Sequence, residues 1–292
     1  MKFSGIMPAL ITPLTPEGKL NVKVLEQLME HLIEQGADGF YIGGATGEGI
    51  ILDKDVMLDL TRESVRIAAG RVPCIVHVAR MNYQEMLEIA RYADQVGADA
   101  VSAIPPIFYP YTQEEIHRYY QGLSDAINIP IMIYNNPNTG VTFYPEQLTE
   151  LFEIAHVDAI KWTNSNYFAV MELVVRTEGK INIVNGPDEM LLCGLAAGCD
   201  GGIGTTYNVM LPWFKEIYRL FKAGEIEAAQ KLQHKVSHII AVMINYNALY
   251  ATKAVLEAQG FDVCHSLYPK KDCDEATKKK LFAELREAGL EL

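Results

Sequence analysis

Long apolar runs are missing from this sequence. No stretch reaches the roughly 18 consecutive apolar residues that a membrane-spanning helix needs. The N-terminal segment, residues 1–18, is interrupted by glycine and proline after a few apolar residues, whereas a secretory signal peptide has an uninterrupted apolar region. We therefore expect a cytoplasmic protein that has no membrane partner.

Basic residues are also scarce. The 292-residue chain has 25 lysines and arginines against 37 aspartates and glutamates, which gives a formal net charge of -12 at neutral pH. Such a surface repels the phosphates of nucleic acids and the headgroups of anionic lipids. The composition therefore argues against nucleic acid and anionic membranes as partners.

Clusters of metal ligands are absent from the sequence pattern. The cysteines are odd in number and lack paired metal spacing; they are Cys74, Cys193, Cys199, Cys264 and Cys273. Free thiols in a reducing cytoplasm are the simplest interpretation. His234 and His238 are four residues apart, as metal ligands can be, but no catalytic glutamate follows His234, and an exposed helical face is favoured. His77 alone lies near a predicted strand end, so we expect no metal site.

The sequence does contain a regular alternation of short apolar runs and longer amphipathic segments. The short runs have the length of buried strands and cover residues 6–11, 39–43, 74–79, 100–104, 131–135, 159–162, 181–185 and 201–204. Between them, apolar residues recur three and four positions apart, which is typical of helices. Segments 35–39, 96–100 and 197–201 each fit a helix closed by glycine and followed by a strand. Eight βα units in this order predict an α/β fold, a (β/α)8 TIM barrel.

The chain continues beyond the eighth unit. Segments 224–259 and 274–288 have helical patterns, and we predict that they form additional helices. No low-complexity linker separates them from the barrel. We therefore assign residues 1–222 to the barrel and residues 223–292 to a C-terminal helical extension of the same structural domain.

Glycine and polar residues follow six of the predicted strands. In a barrel of this kind, chemistry takes place at the carboxyl ends of the strands. The six loops begin there and include residues 43–48, 105–109, 134–137, 161–163, 186–189 and 204–206. Their convergence on one face predicts a single active site.

Lys161 ends the sixth predicted strand at an inward position. Burial disfavours the charged form of a lysine, so a lysine is rarely buried without a reason. In a dry cavity it can be neutral and attack a carbonyl carbon to form a Schiff base. The alternative is a strand end whose lysine points into water. The six converging loops favour the catalytic interpretation.

The loops around Lys161 have functional and structural interpretations. Glycines in residues 43–47 let backbone N–H groups approach an anion, and the lack of a Walker lysine favours a carboxylate over a nucleotide phosphate. The alternative is an ordinary glycine-rich turn. Tyr134 is either a proton donor and acceptor beside the lysine or a common tyrosine of the barrel rim. Asp188 and Glu189 either cap the following helix or bind the hydroxyls of a polyol.

These residues carry a resemblance that covers nearly the whole chain. GGATGE at 43–48, YNNP at 134–137 and IKWT at 160–163 resemble the motifs of the N-acetylneuraminate lyase and dihydrodipicolinate synthase superfamily of pyruvate-dependent class I aldolases. Three further motifs are most similar to the lyase branch: DAVSA at 99–103, NGPDE at 185–189 and GGIGTTYN at 201–208.

The resemblance implies a mechanism and a set of site residues. Lys161 would form a Schiff base with C2 of open-chain N-acetylneuraminate, while the amides of Ala45 and Thr46 hold its carboxylate. Tyr134 would be the acid–base group, with a relay through Thr46 and a Tyr109 hydroxyl supplied by a neighbouring subunit. Retro-aldol cleavage would release N-acetylmannosamine and, after hydrolysis of an enamine, pyruvate. The residues expected to hold the sugar tail are Thr163, Gly186, Asp188, Glu189 and Thr205.

The resemblance also implies an assembly and a cofactor requirement. The protonated imine is the cation of this chemistry, so neither a metal nor a cofactor is expected. The assembly expected is a homotetramer built as a dimer of dimers.

Three departures from the family pattern concern the substrate. Ala45 stands where the lyases usually carry serine or threonine. The loop 134–140 is one residue shorter than usual and lacks the arginine with which the synthases bind their second substrate. Segment 264–274 does not match the lyases. The alternatives are a 4-hydroxy-tetrahydrodipicolinate synthase-like enzyme, another 2-keto sugar acid aldolase or dehydratase, or a non-catalytic sugar-acid-binding barrel.

Overall fold

Eight parallel strands form the centre of the molecule. The computed structural model describes residues 3–141, 143–263, 265–267, 269 and 274–292. The strands are β1 (Gly5–Pro8), β2 (Phe40–Ile42), β3 (Cys74–His77), β4 (Ala100–Ala103), β5 (Ile131–Asn135), β6 (Val157–Trp162), β7 (Asn182–Asn185) and β8 (Gly201–Gly204). Each predicted strand is found. Several end earlier than predicted, because the apolar run continues into the loop at the carboxyl end of the strand.

The strands close into a barrel. They are neighbours in chain order from β2 to β8, and β1 pairs in parallel with β8. A parallel bridge between Ala9 and Tyr41 joins the chain after β1 to β2, and the Leu10 N–H donates to the Tyr41 carbonyl at 2.9 Å. The predicted (β/α)8 TIM barrel is therefore confirmed.

Helices alternate with the strands and cover the barrel. They are α1 (Val22–Glu34), α2 (Lys54–Ala68), α3 (Tyr83–Val96), α4 (Gln113–Ser124), α5 (Pro145–Leu151), α6 (Tyr167–Arg176), α7 (Leu191–Ala197) and α8 (Tyr207–Lys222). Gly36, Gly97 and Gly198 follow α1, α3 and α7 with positive φ, as the three repeated junctions predict, because only glycine adopts that conformation without strain.

The C-terminal extension contains three described helices: α9 (Ile226–Asn245), α10 (Ala248–Ala258) and α11 (Glu275–Glu287). The predicted additional helices are found, and the segment 224–259 divides into two of them, because Asn247 has φ +65° and its side chain caps α10 by accepting from the Leu249 N–H. Among the described residues, no single helix is both long and apolar enough to cross a membrane. The α9–α10 pair meets these criteria only when taken together, and it is bent by 105°.

The thiols and histidines of the described residues form no cluster. Cys74 and Cys199 are buried, Cys193 is exposed, and all three are free thiols. Cys264, Cys273 and most of the atypical segment 264–274 lie outside the described residues. Within the described part of the chain, no group of three or more histidine, cysteine, aspartate or glutamate residues could hold a metal ion.

Candidate active site

The Lys161 side chain is buried inside the barrel mouth. Only 5% of its surface is exposed, and it is the register partner of Tyr134 on the neighbouring strand β5. Its Nζ lies 4.5 Å from the ring centroid of Tyr41 and 4.3 Å from that of Tyr134. Two aromatic faces therefore contact the ammonium and stabilise its charge out of water. The alternative of a strand-end lysine that points into water is wrong.

Three aromatic rings pack together here, and two of them, Tyr41 and Tyr134, face the ammonium. The Tyr41 ring lies 5.8 Å from the Tyr134 ring and 6.1 Å from the His77 ring, and the His77 and Tyr134 rings are 5.9 Å apart. Burial raises the pKa of Tyr41 well above its usual range. Burial and the nearby Lys161 charge lower the pKa of His77 to about 3. Both side chains are therefore neutral at pH 7.

Sequence reasoning did not single out Tyr41 or His77 as site residues. Tyr41 follows Phe40 in an apolar strand and looks like an ordinary core aromatic; its hydroxyl is bonded to Ser102 Oγ at 2.8 Å. His77 stands out in the sequence only as a possible metal ligand. Alternation along the strands is the sequence signal that could have identified them. The positions from which a side chain reaches the barrel interior include those of Tyr41, His77, Tyr134 and Lys161.

The glycine-rich loop after β2 presents unused N–H groups. The backbone N–H groups of Ala45, Thr46 and Gly47 donate to no other described residue. Gly49 packs so closely that a Cβ there would lie 1.7 Å from the Gly43 carbonyl oxygen, so the turn requires glycine. Successive free N–H groups in a tight turn form a concavity suited to an anion. Ala45 is exposed, whereas Thr46 is buried.

Thr46, in this loop, contacts Thr205, which follows β8. Thr46 Oγ1 and Thr205 Oγ1 are 2.6 Å apart and share a hydrogen bond. The structure thus brings together one residue expected to bind the carboxylate and relay protons and one expected to contact the sugar tail.

The hydroxyl of Tyr134 has one described partner. It accepts a hydrogen bond from Asn136 Nδ2 at 3.1 Å, and Asn136 also caps the turn Pro137–Thr139 by accepting from the Asn138 N–H at 3.0 Å. Gly140 closes the turn with φ +77°. The short loop therefore orients Tyr134 through Asn136, a role that the YNNP motif alone does not reveal.

Thr163 and Gly186 are in direct contact at the ends of β6 and β7. A Cβ on Gly186 would lie 1.9 Å from Thr163 Oγ1, so glycine is required there for packing. The Gly186 N–H donates to the Trp162 carbonyl at 2.8 Å. Thr163 Oγ1 is buried and has no hydrogen-bond partner among the described residues, which leaves its hydroxyl available to a ligand.

The acids after β7 have different environments. Asp188 is buried, and its Oδ2 accepts from the Thr206 N–H at 2.7 Å and from Thr206 Oγ1 at 2.6 Å. Burial raises the pKa of Asp188 to about 6, although the Thr206 bonds oppose this shift. Asp188 thus binds the residue that precedes α8, not the start of its own following helix. Glu189 is exposed, and no bond from another described residue reaches its carboxylate.

The backbone of these acids is held by the C-terminal extension. Gln233 Nε2 donates to the Asp188 carbonyl at 3.3 Å, and Ser237 Oγ donates to the Glu189 carbonyl at 2.8 Å. Both donors lie on α9, whose exposed His234 and His238 take no part. The extension therefore fixes the loop that follows β7.

Tyr109 lies apart from the other candidate residues within one chain. Its side chain is 63% exposed, and its ring packs edge-on against Phe108 at 4.9 Å and Tyr111 at 6.3 Å. A groove of about 500 Å³ runs from these residues to Thr139 and Gly140.

A family model that matches nearly the whole chain identifies its family. Residues 2–288 match the family model described as the Dihydrodipicolinate synthetase family. The chain belongs to this family. It is thus an enzyme of the aldolase and lyase class, and the family consists of class I Schiff-base aldolases. The resemblance inferred from the loop motifs is confirmed, and a non-catalytic barrel is excluded.

Relatives with curated names agree on one branch of this family. The chain is similar to the N-acetylneuraminate lyase of Rhizobium meliloti, with 33% identity over 99% of this chain and 95% of the relative. It is 35% identical to the N-acetylneuraminate lyase of Citrobacter koseri over 86% of this chain and 85% of that protein.

Solved structures that are similar to this chain include N-acetylneuraminate lyases. The CdNal protein of Clostridium difficile, solved in complex with mannosamine, has a TM-score of 0.94 and 29% identity over 99% of this chain and 100% of its own. The Proteus mirabilis N-acetylneuraminate lyase has a TM-score of 0.94 and 26% identity over 99% of both chains.

Proposed function

We propose that this protein cleaves N-acetylneuraminate to N-acetylmannosamine and pyruvate through a Schiff base on Lys161, in the degradation of sialic acid. The observation that carries the proposal is the buried Lys161 ammonium, held against Tyr41 and Tyr134 next to a loop with unused N–H groups. The names of the relatives support the choice of sugar acid.

The proposed reaction begins at the ketone of the open-chain substrate. Lys161 Nζ, after losing a proton, attacks C2, and water leaves to give a protonated imine. The amides of Ala45 and Thr46 hold the carboxylate. Tyr134 gives its phenol proton to the departing water and, as the phenolate, accepts the proton of the C4 hydroxyl; the C3–C4 bond breaks, and its electrons pass to the imine, which gives an aldehyde and an enamine. Protonation of the enamine at C3 and hydrolysis release pyruvate and free Lys161.

We assign the proton relay to Thr46 and Tyr109, with Tyr109 coming from a neighbouring copy of the chain. The exposure of Tyr109 and the 2.6 Å contact between Thr46 and Thr205 support these roles. The sugar tail would contact Thr163, Gly186, Glu189 and Thr205, and the Thr163 hydroxyl has no hydrogen-bond partner in the described part of the chain. Asp188 would act mainly through the loop geometry, because Thr206 occupies its inner oxygen.

Ala45 favours a second candidate, another 2-keto sugar acid as substrate. The lyases usually carry a hydroxyl at this position, and Ala45 supplies none. A site with one hydroxyl fewer would suit a substrate that requires fewer polar contacts next to the carboxylate. The missing arginine in loop 134–140 counts against the synthase-like activity.

One experiment tests the chemistry and another the substrate. Pyruvate and borohydride should add a reduced pyruvate adduct to the Lys161 peptide, as read by mass spectrometry. Absence of the adduct, or its appearance on another lysine, would overturn the Schiff-base assignment. A pyruvate-release screen should then give the highest kcat/KM for N-acetylneuraminate. Faster release from a shorter 2-keto sugar acid would select the second candidate.

No cofactor is required in this scheme, and we place the enzyme in the cytoplasm.

We further propose a homotetramer built as a dimer of dimers. Helix α6 has an exposed apolar stripe formed by Phe168, Met171 and Val175, spaced three and four residues apart, with exposures of 68%, 48% and 73%. Exposed apolar side chains at helical spacing are typical of a buried interface. Light scattering should give a tetramer for the wild type and a smaller species for Val175→Glu. Ile226→Glu, an exposed apolar residue on α9, is the control, and a monomeric wild type would contradict the proposal.

We also propose that residues 1–222 and 223–292 form one structural domain. The bonds of Gln233 and Ser237 to the loop after β7 support it. A chain truncated after Lys222 should then lack cooperative thermal unfolding, whereas a truncated chain that unfolds like the full one would contradict a single domain.

A further inference from the structure

A buried ion pair joins the glycine-rich loop to the C-terminal extension. Lys253 Nζ, on α10, lies 2.6 Å from Glu48 Oε2, and the two side chains are 2% and 1% exposed. Lys253 also donates to the His265 carbonyl and to Ser266 Oγ, each at 3.2 Å. Glu48 is the last residue of GGATGE, and 205 residues separate it from Lys253 in the sequence.

Glu48 has an uncommon backbone conformation. Its φ is +56°, in the left-handed region that residues other than glycine seldom adopt. The Glu48 N–H donates to the Ala45 carbonyl at 3.2 Å, and the Gly49 N–H donates to the Gly44 carbonyl at 3.1 Å. These bonds close the turn that carries Ala45 and Thr46, and the ion pair holds its strained residue in place.

Other contacts engage the carbonyl groups that follow this turn. Thr12 Oγ1 donates to the Gly47 carbonyl at 2.8 Å. Arg80 Nη1 donates to three carbonyls, those of Gly49 at 2.6 Å, Ile50 at 3.1 Å and Leu52 at 2.8 Å. These contacts involve none of the N–H groups of residues 45–47, which donate to no described residue. Side chains from outside the loop thus bind its carbonyl oxygens, and the N–H groups of residues 45–47 remain available to an anion.

We propose that Glu48 and Lys253 are positioning residues for substrate binding, and that they act by fixing the turn whose N–H groups hold the substrate carboxylate. The inference rests on the proposed function and adds residues that do not touch the substrate. A buried ion pair is a poor source of stability, because an apolar pair of similar volume is often as stable or more so. Its directional geometry can instead fix one conformation of the loop.

This role predicts which half of the substrate is affected. The carboxylate belongs to the pyruvate half, whereas the sugar half contacts loops after β6, β7 and β8. Loss of the pair should therefore weaken pyruvate binding and leave the binding of N-acetylmannosamine nearly unchanged. A general loss of packing would affect both substrates alike.

The test uses two variants and one control. Glu48→Asp keeps the charge but shortens the side chain, and the double variant Glu48→Gln/Lys253→Met removes both charges at nearly constant volume. Lys215→Met is the matched control, because it removes another ion pair of 2.6 Å, with Asp38, that joins α8 to the residues before β2. Each full-length protein is titrated with pyruvate in the presence of borohydride, and KM for N-acetylmannosamine is measured in the direction of synthesis.

We expect the pyruvate concentration for half-maximal trapping to rise at least ~10-fold in both variants. A change of this size corresponds to the loss of about one charge-assisted contact. The KM for N-acetylmannosamine should change less than ~2-fold, and the control should match the wild type. Unchanged trapping, equal rises for both substrates, or loss of folding in both variants would overturn the inference. A wild type that pyruvate does not trap would overturn the proposed function and the inference together.

Discussion

Tyr134 and Lys161 are register partners on neighbouring strands, and the ammonium of Lys161 lies 4.3 Å from the centroid of the Tyr134 ring. A ring face in this position stabilises a cation. The protonated imine carries the same charge on the same nitrogen, so the ring can stabilise the resting lysine and the intermediate alike. The phenol group at the edge of that ring remains available for proton transfer.

Lys161→Ala should abolish catalysis without unfolding the barrel. No other described amine lies between Tyr41 and Tyr134, so pyruvate release should fall below ~1% of the wild-type rate. Circular dichroism checks the fold. Lys54→Ala is the control, because Lys54 pairs with Glu88 at the surface and should leave the rate unchanged. Release above that level from Lys161→Ala would refute the Schiff-base role.

Tyr134→Phe should separate the hydroxyl of Tyr134 from its ring. The ring face remains over Lys161, so KM should change little, whereas kcat should fall by ~10²–10⁴ if the hydroxyl transfers protons. Tyr41→Phe is a matched control, because Tyr41 stands over the same ammonium but its hydroxyl is bonded to Ser102. Similar kcat losses in the two variants would show that proton transfer does not depend on Tyr134 in particular.

Glu189→Gln tests recognition of the sugar tail. The carboxylate is exposed, and charge-assisted bonds to hydroxyls contribute about 1.5–3 kcal/mol. We expect kcat/KM for N-acetylneuraminate to fall ~10–100-fold, with little change for a shorter 2-keto sugar acid.

Asp188→Ala is the comparison for Glu189→Gln. It removes the acceptor of both Thr206 bonds and should lower the free energy of unfolding by about 1–3 kcal/mol, with similar kinetic losses on both substrates. Equal losses on long and short substrates for Glu189→Gln would remove this reason for choosing the longer sugar acid.

His77→Phe should make the protein more resistant to acid. Burial first, and then the Lys161 charge, lower the pKa of His77 from 6.5 to about 3 in the folded state, so the unfolded chain binds the proton more readily. The contribution of neutral His77 is complete above pH 6.5 and is lost as the pH falls toward 3. Wild-type stability should decline relative to the variant by at most about 1.4 kcal/mol per pH unit.

Urea unfolding of both proteins at pH 7, 5.5 and 4.5 measures this difference. Phenylalanine keeps a buried ring of similar size at this position but cannot be protonated, so the variant removes the titration of His77. A constant difference between the two proteins across this range would show that His77 is not held neutral by the fold.

Much of the fold could be predicted because the signals are local. Glycines with positive φ, such as Gly97 and Gly198, mark helix ends within a few residues of sequence. The break at Asn247 could not be predicted in the same way, because the apolar pattern continues through it. A single residue with φ +65° decided the direction of α10.

Part of the site could also be predicted, because its residues lie in motifs that are local in the sequence. Lys161, Tyr134 and Thr46 lie in motifs that a reader of the sequence can recognise, and their placement at the strand ends follows from the barrel. Their roles remain proposals. Asp188 could not be assigned, because its partner Thr206 lies 18 residues away in the sequence and on another loop.

The sequence by itself determined the barrel, the family and the lysine, because periodicity, turn glycines and motifs are encoded in consecutive residues. Only the tertiary structure decided which groups surround that lysine and what holds the loop beside it. Tyr41 lies over Lys161 and packs against His77 of another strand, and Lys253 meets Glu48 across 205 residues. Such contacts depend on how strands and helices close in space, since burial and charge pairing arise only between elements that the fold brings together.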